Sequence, residues 1–269
     1  MSKILITGSE GFIGSHLQKI LEEHDIIRAD LKIGIDLTDE TFWNDLEPVD
    51  VIVHLGAVVG VNNFSNDTAI ASYINNRRIN INVLKYSKRH NPYVLFASSS
   101  EIYGECNNST ENDNFKILNS PRGLYSLDKV IMEKDLSIFN IKHSSCRLFN
   151  IIGNGQDRNK GVFPKFIYEI KNGIKSKVSK DVRTFTSVLD CVNIFKIMIE
   201  NQIQGDFNIS SEQTYSIEDL YKMLCNEFGI PYNYDLIEKS DISYRKPNTD
   251  KLKSLYKIKY TLNDVIKNL

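Results

Sequence analysis

A glycine-spaced turn constrains this chain more than any other feature. Residues Gly8-Ser9-Glu10-Gly11-Phe12-Ile13-Gly14 come directly after Lys3–Thr7, a short strand pattern. They open the stretch Phe12–Glu23, where Ile13, Leu17, Ile20 and Leu21 recur at helical spacing. Glycines at this GxxGxxG spacing permit a tight turn, close backbone approach to a pyrophosphate and close packing of helix on strand. The helix start then offers N–H groups and the positive end of its dipole to an anion. A glycine-rich turn without a ligand would carry the same letters. The strand before it and the helix after it favour the anion-binding reading.

The same alternation runs on. The patterns predict strands over Ile26–Ala29, Val51–Leu55, Tyr93–Ala97 and Ser144–Phe149, and helices over about 68–89 and Tyr125–Ser137. The long helix carries Ile70, Ile74, Ile81 and Leu84, and an Asn-, Ser- and Thr-rich loop spans Gly104 to Pro121. Continuous apolar strands alternating with helices predict an α/β fold, a Rossmann-type doubly wound parallel sheet. After Gly153 the rhythm weakens into a helix over Val162–Lys171, a strand over Arg183–Leu189, a helix over Val192–Asn201, a strand over Phe207–Ile209 and a helix over Ile217–Phe228. This assigns residues 1–153, with about 183–205, to a dinucleotide-binding domain. Residues 154–182 and 206–269 form a small interleaved C-terminal substrate-binding cap.

Charge and composition exclude other classes. Lys and Arg number 33 against 34 Asp and Glu, so a nucleic-acid partner, which needs a basic excess, is not expected. No apolar run reaches the length of a membrane span, and Met1-Ser2-Lys3 passes straight into Ile4-Leu5-Ile6 with no signal-peptide pattern. Cys106, Cys146, Cys191 and Cys225 are scattered without CxxC spacing, as in a protein of the reducing cytoplasm. No spacing of metal ligands occurs, so no metal is expected.

Asp30 ends the second predicted strand, 16 residues after Gly14. An acid there accepts hydrogen bonds from both ribose hydroxyls of an adenosine and repels a 2′-phosphate, which favours NAD over NADP. Arg28 and Lys32 lie nearby and soften that preference. Asp36, followed by Leu37, is either an adenine contact or a turn and cap residue. His54, at a strand end, reads more readily as a neutral, satisfied histidine than as a catalytic one.

Tyr125 and Lys129 stand four apart, on one face of a predicted helix. An ammonium beside a phenol favours the phenolate and is expected to lower its pKa, giving a general base for an alcohol that loses a hydride. The segment Ser98-Ser99-Ser100-Glu101 follows the strand Tyr93–Ala97, at the end of the sheet where open α/β folds place ligands. A Ser99 hydroxyl there can hold the reacting oxygen against Tyr125.

Taken in order, GSEGFIGS (Gly8–Ser15), Asp30, HLGA (His54–Ala57), SSSEIYG (Ser98–Gly104), YSLDK (Tyr125–Lys129), RLFNIIGNGQ (Arg147–Gln156), VRTFTSVLD (Val182–Asp190), FNISS (Phe207–Ser211) and RKP (Arg245–Pro247) resemble the extended short-chain dehydrogenase/reductases of the NAD-dependent nucleotide-sugar epimerase/dehydratase family. The resemblance implies catalysis by Ser99, Tyr125 and Lys129, with Glu101 as a further acid–base group. It implies that Gly8, Gly11, Phe12, Ile13, Gly14, Asp30, Asp36, Leu37, Leu55 and Ala57 hold NAD together with Tyr125 and Lys129. Ser99, Ser100, Asn150, Arg183 and Arg245 would take a nucleotide-diphosphate sugar. The shared chemistry is oxidation at sugar C4, leading to epimerisation, 4,6-dehydration or decarboxylation, commonly in a homodimer.

Glu101 matches the dehydratases and decarboxylases, or else caps its own loop. Arg245 is a phosphate ligand or a member of a solvated basic face with Lys246, Lys251 and Lys253. The chain's shortness and the brief link from Asp30 to Asp36 resemble the smaller NAD(P)H-dependent 4-keto-sugar reductases, which stand as the alternative. A non-catalytic NAD-binding regulator or scaffold would be expected to lack Tyr125 or Lys129, and both are present.

Overall fold

The computed structural model describes residues 1–59, 68–238 and 242–269. The chain divides into two compact units. The first comprises Met1–Ile102, Phe115–Arg147 and Val192–Phe207, and the second Tyr103–Asn114, Leu148–Cys191 and Asn208–Leu269.

The first unit is built on six strands: β1 (Lys3–Thr7), β2 (Asp25–Ala29), β3 (Val51–His54), β4 (Tyr93–Ser99), β5 (His143–Leu148) and β6 (Gly205–Ile209). Their order across the sheet is β6-β5-β4-β3-β1-β2. β1 runs parallel to both β2 and β3, and β3 runs parallel to β4. β3 and β4 are buried along their whole length, which is why they read as unbroken apolar runs. After β2 the chain returns past β1 to place β3, so the order reverses between β1 and β3. Such a switch point, at the carboxyl ends of the strands, is where open sheets of this kind form a binding crevice.

Helices α1 (Phe12–Ile20), α2 (Glu40–Asp45), α3 (Ala69–His90), α4 (Pro121–Ile138) and α5 (Val188–Asn201) accompany the sheet. α3 and α4 cover one face, where Val83, Leu84, Met132 and Leu136 join Leu5, Ile52, Val94 and Phe96 in a single apolar core. Among the described residues no helix is long and apolar enough to cross a membrane.

Along α3, Ile70, Ile74 and Ile81 are 72%, 41% and 41% exposed, while Leu84 lies in the core. Beside Ile79, Val83 and Leu84, its inward side carries Asn76, Asn80 and Asn82, each buried and hydrogen-bonded. The predicted strand Arg183–Leu189 breaks up. It forms short strands at Val182–Thr184 and Thr186–Ser187, and α5 begins four residues before the predicted Val192. Ser187 Oγ accepts the N–H of Leu189, as a helix-starting hydroxyl does. Asp190, fully buried in the first turn, accepts from the Tyr256 hydroxyl and from the N–H groups of Lys259 and Tyr260.

The second unit has its own core of Phe163, Phe166, Ile170, Leu220, Tyr221, Leu224 and Ile266. Its four-stranded sheet orders Thr214–Ser216, Val182–Thr184, Tyr244–Pro247 and Cys106–Ser109. Helices Val162–Lys171 and Ile217–Phe228 occupy the predicted residues. Ser216 and Asp219 close the start of the second with a reciprocal capping box.

Candidate active site

The glycine turn sits on the switch point of the first unit. Gly8 follows β1 with φ +70°, and a Cβ there would lie 2.9 Å from the backbone of Leu55 and Gly56 at the end of β3. A Cβ at Gly14 would lie 2.4 Å from the Gly8 oxygen, so only hydrogen lets α1 sit this close to the turn. Gln18 Nε2 donates to the Ser9 and Gly14 carbonyls at 2.7 and 3.2 Å and holds the loop shut on the helix. α1 starts at Gly11 without a side-chain cap and without an acid in its first turn. Phe12 and Ile13 lead this uncapped, dipole-positive end, which fits the anion of a dinucleotide.

Asp30 stands at the end of β2. Its two oxygens accept the N–H groups of Glu10, at 3.1 Å, and Lys32, at 2.9 Å, so the acid is tied directly to the glycine turn. Asp36 accepts both the N–H and the hydroxyl of Thr38 at 2.8 Å, a turn-capping arrangement. The Leu37 side chain is 5% exposed in the core, and its carbonyl accepts from Trp43 and Asn82. Leu55 is half-buried and donates its N–H to Thr7. Ala57, likewise half-buried, precedes Val58, whose backbone is clamped by the Asn76 side-chain amide at 2.7 and 3.0 Å.

Ser99, Tyr125 and Lys129 meet in the same unit. Ser99 closes β4, and its hydroxyl accepts the Glu101 N–H at 3.2 Å and shares a hydrogen bond with the Tyr125 phenol. Ser100, also buried, begins a short 3-10 turn through Tyr103. Lys129 is buried on α4; its Nζ donates to the Ala97 carbonyl at 2.9 Å and lies 5.7 Å from the Tyr125 ring centroid. The expected lowering of the phenol by the ammonium is not what the structure shows. Burial pushes the Tyr125 phenol above its usual value, the Glu101 carboxylate adds to that push, and the Ser99 hydrogen bond only partly opposes it. Burial also depresses the Lys129 ammonium.

His54 is a satisfied core histidine. Its ring nitrogens meet Thr7 Oγ1 at 2.8 Å and Asn80 Oδ1 at 2.9 Å, and burial pushes its pKa down to about 4. Asn80 passes the chain of bonds on to Asp128, next to Lys129, at 3.1 Å. The strand that delivers the glycine turn is thus wired to the helix that delivers the tyrosine.

Sequence reading missed the buried support behind this group. Arg147, 1% exposed, pairs with Glu133 at 2.8 Å and Asp206 at 3.0 Å, and the Ser98 hydroxyl bonds Glu133. The available signals were Glu133 four residues after Lys129, on the same helix face, and an arginine inside a strand of buried residues, which requires a partner.

In the second unit, Arg183 and Arg245 are direct register partners on neighbouring parallel strands. Arg183 donates to the carbonyls of Val182 and Ile242, and Arg245 donates to that of Gly104. Arg245 is 4% exposed, which overturns the solvated-face reading. Asn150 holds a left-handed φ of +26° and donates to the Thr184 carbonyl at 2.9 Å.

The chain is 26% identical over 298 residues to a UDP-N-acetyl-alpha-D-glucosaminuronate decarboxylase of Bacillus cytotoxicus, covering 94% of this chain and 91% of the relative. It is 27% identical over 273 residues to a GDP-6-deoxy-D-talose 4-dehydrogenase of Aggregatibacter actinomycetemcomitans, covering 89% and 86%. The crystal structure of a UDP-glucose 4-epimerase with UDP-glucose from Thermotoga maritima shares the fold with a TM-score of 0.88 at 24% identity, covering 98% of this chain and 96% of that one. A family pattern spans residues 4–210, and by that match the chain belongs to the NAD dependent epimerase/dehydratase family.

Proposed function

We propose that this chain is an NAD-dependent enzyme acting on a nucleotide-diphosphate sugar, working through oxidation at sugar C4 in the manner of the epimerases, 4,6-dehydratases and decarboxylases. The observation that carries this reading is the assembly of Ser99, Tyr125 and Lys129 in the same unit as the glycine turn and Asp30. Bound NAD would supply the hydride acceptor and a positive charge favouring the phenolate. Tyr125 takes the proton of the C4 hydroxyl, and Ser99 holds the reacting oxygen. Glu101, whose carboxylate already acts on the phenol, is assigned the later proton transfer beside the new ketone. The expected domains, 1–153 with 183–205 and 154–182 with 206–269, shift in their bounds: the dinucleotide is assigned to the unit Met1–Ile102, Phe115–Arg147 and Val192–Phe207, while Asn150, Arg183 and Arg245 belong to the unit Tyr103–Asn114, Leu148–Cys191 and Asn208–Leu269.

Arg183 and Arg245 are assigned to the diphosphate. Like charges placed opposite one another on adjacent strands repel, and a bound anion turns that cost into a binding site suited to forked guanidinium groups. Asn150 and Ser100 are assigned to the sugar nucleotide as well.

Turnover of a panel of UDP-, GDP- and dTDP-sugars by the purified protein, without added cofactor, tests the reading. Conversion on retained NAD supports it. Strict dependence on added NADH or NADPH supports the second reading, a nucleotide 4-keto-sugar reductase, which the likeness to the GDP-6-deoxy-D-talose 4-dehydrogenase favours.

A homodimer in the cytoplasm completes the proposal. Ile70, Ile74 and Ile81 repeat at four and seven residues along one exposed face of α3, and α3 is tied to α4 by the ion pair Arg77–Asp135. Four buried, unbridged cysteines suit a reducing compartment. A monomer by sedimentation would remove the dimer from the account.

A further inference from the structure

Four charged side chains, Glu10, Arg28, Asp30 and Lys32, gather where the glycine turn meets the end of β2, and Glu10 has no part in the reading above. Arg28 places its Nη2 2.9 Å and its Nε 3.0 Å from Oε1 of Glu10. The same oxygen accepts the Ser9 hydroxyl at 2.9 Å. Lys32 Nζ donates to the Glu10 carbonyl at 2.9 Å. The Glu10 N–H in turn donates to Asp30. Glu10 is thus the common partner of both cations and of the acid. The two acids and two bases sum to zero charge.

That balance bears on which dinucleotide is accepted. A 2′-phosphate replaces the ribose hydroxyl that an acid at the end of β2 is suited to hold. It needs a nearby cation, and an arginine fork is the best one. Arg28 is the arginine at that spot, with a half-exposed side chain that has room to swing. In this structure its fork is spent on Glu10.

We propose that Glu10 sets the dinucleotide preference, by occupying Arg28 and so denying a 2′-phosphate its counter-ion. The inference rests on the reading that the glycine turn and Asp30 hold a dinucleotide. It adds a second determinant, in the turn itself, to the acid at the end of β2. Glu10 acts by position and charge; its side chain is not assigned a contact with the nicotinamide or the sugar.

Calorimetric titration of cofactor-stripped protein with NAD and with NADP tests it, using the unsubstituted chain, Glu10→Gln, Arg28→Gln and the double variant. Releasing one charged hydrogen-bonding group toward a phosphate is expected to tighten NADP about tenfold in Glu10→Gln, with NAD nearly unchanged. The double variant should lose that gain. Arg28→Gln alone should leave NADP affinity where it was, which keeps the test decisive even if Glu10→Gln folds poorly. NAD binding with an unmoved NADP to NAD ratio in Glu10→Gln overturns this assignment alone. So does a gain that survives in the double variant, or a tenfold loss of NADP affinity in Arg28→Gln. No NAD binding by the unsubstituted chain overturns the dinucleotide reading as well.

Discussion

The ammonium of Lys129 lies 5.7 Å from the centroid of the Tyr125 ring, yet it gives its hydrogen bond to the Ala97 carbonyl at 2.9 Å. The lysine therefore anchors α4 to the end of β4. The phenol answers to burial, to Glu101 and to Ser99. On the proposed reading, the positive charge that NAD would bring is what would make this buried phenol a base.

Titration of the phenol checks this. The ultraviolet difference between the unsubstituted protein and Tyr125→Phe should show Tyr125 ionising above the ordinary tyrosine range in the free protein. Saturating NAD should move the transition to lower pH. A phenol that already ionises at or below about 10 without ligand contradicts the account.

His54 makes stability depend on pH. Its folded pKa, about 4, is below the unfolded value of 6.5, so unfolding takes up a proton as the pH falls. The stability this represents is fully present above 6.5, declines below it and is gone by about 4. The shift corresponds to about 3 kcal/mol. Urea unfolding between pH 7.5 and 4.5 should show His54→Gln losing less stability on acidification than the parent; equal losses would count against the buried neutral ring.

Gly14→Ala tests the close approach of turn and helix. Its Cβ would meet the Gly8 carbonyl at 2.4 Å, so the turn must open. A stability loss of about 1–3 kcal/mol is expected by thermal unfolding, together with loss of NAD binding in a direct titration. Unchanged NAD affinity would separate the turn from the cofactor.

Glu133 and Arg147 are a buried pair on which three strands and α4 converge. Arg147→Met leaves Glu133 as an uncompensated charge and should cost about 3–5 kcal/mol in denaturant unfolding. Replacing both partners with apolar side chains should restore much of that loss. A double variant as unstable as Arg147→Met would mean the charge itself is not the cause.

The parts legible in the sequence are those whose reasons are local. The glycine turn announces itself through spacing between a strand and a helix, and Tyr125 and Lys129 through helical periodicity. On α3 the buried asparagines Asn76, Asn80 and Asn82 give no signal in the sequence, because their partners Val58, His54, Asp128 and Leu37 come from other elements. The sequence leaves Arg245 open between a phosphate ligand and a solvated face, because its burial depends on lying beside Arg183 and Cys106, far away in sequence. Arg183–Leu189 reads as one strand by composition; Thr186–Ser187 is strand, and the helix starts at Val188, where the Ser187 hydroxyl accepts the Leu189 N–H. The direction of the Tyr125 shift is not legible because helical spacing does not reveal how deeply the phenol is buried or that Glu101 faces it.

The central claim is that Tyr125 is the base that opens the reaction. The most direct test is single-enzyme turnover of a converted nucleotide sugar by Tyr125→Phe, with bound NAD quantified in the same sample. The account predicts a fall of about 10²–10⁴-fold in kcat with dinucleotide occupancy unchanged. Turnover at the parent rate with full occupancy would contradict it.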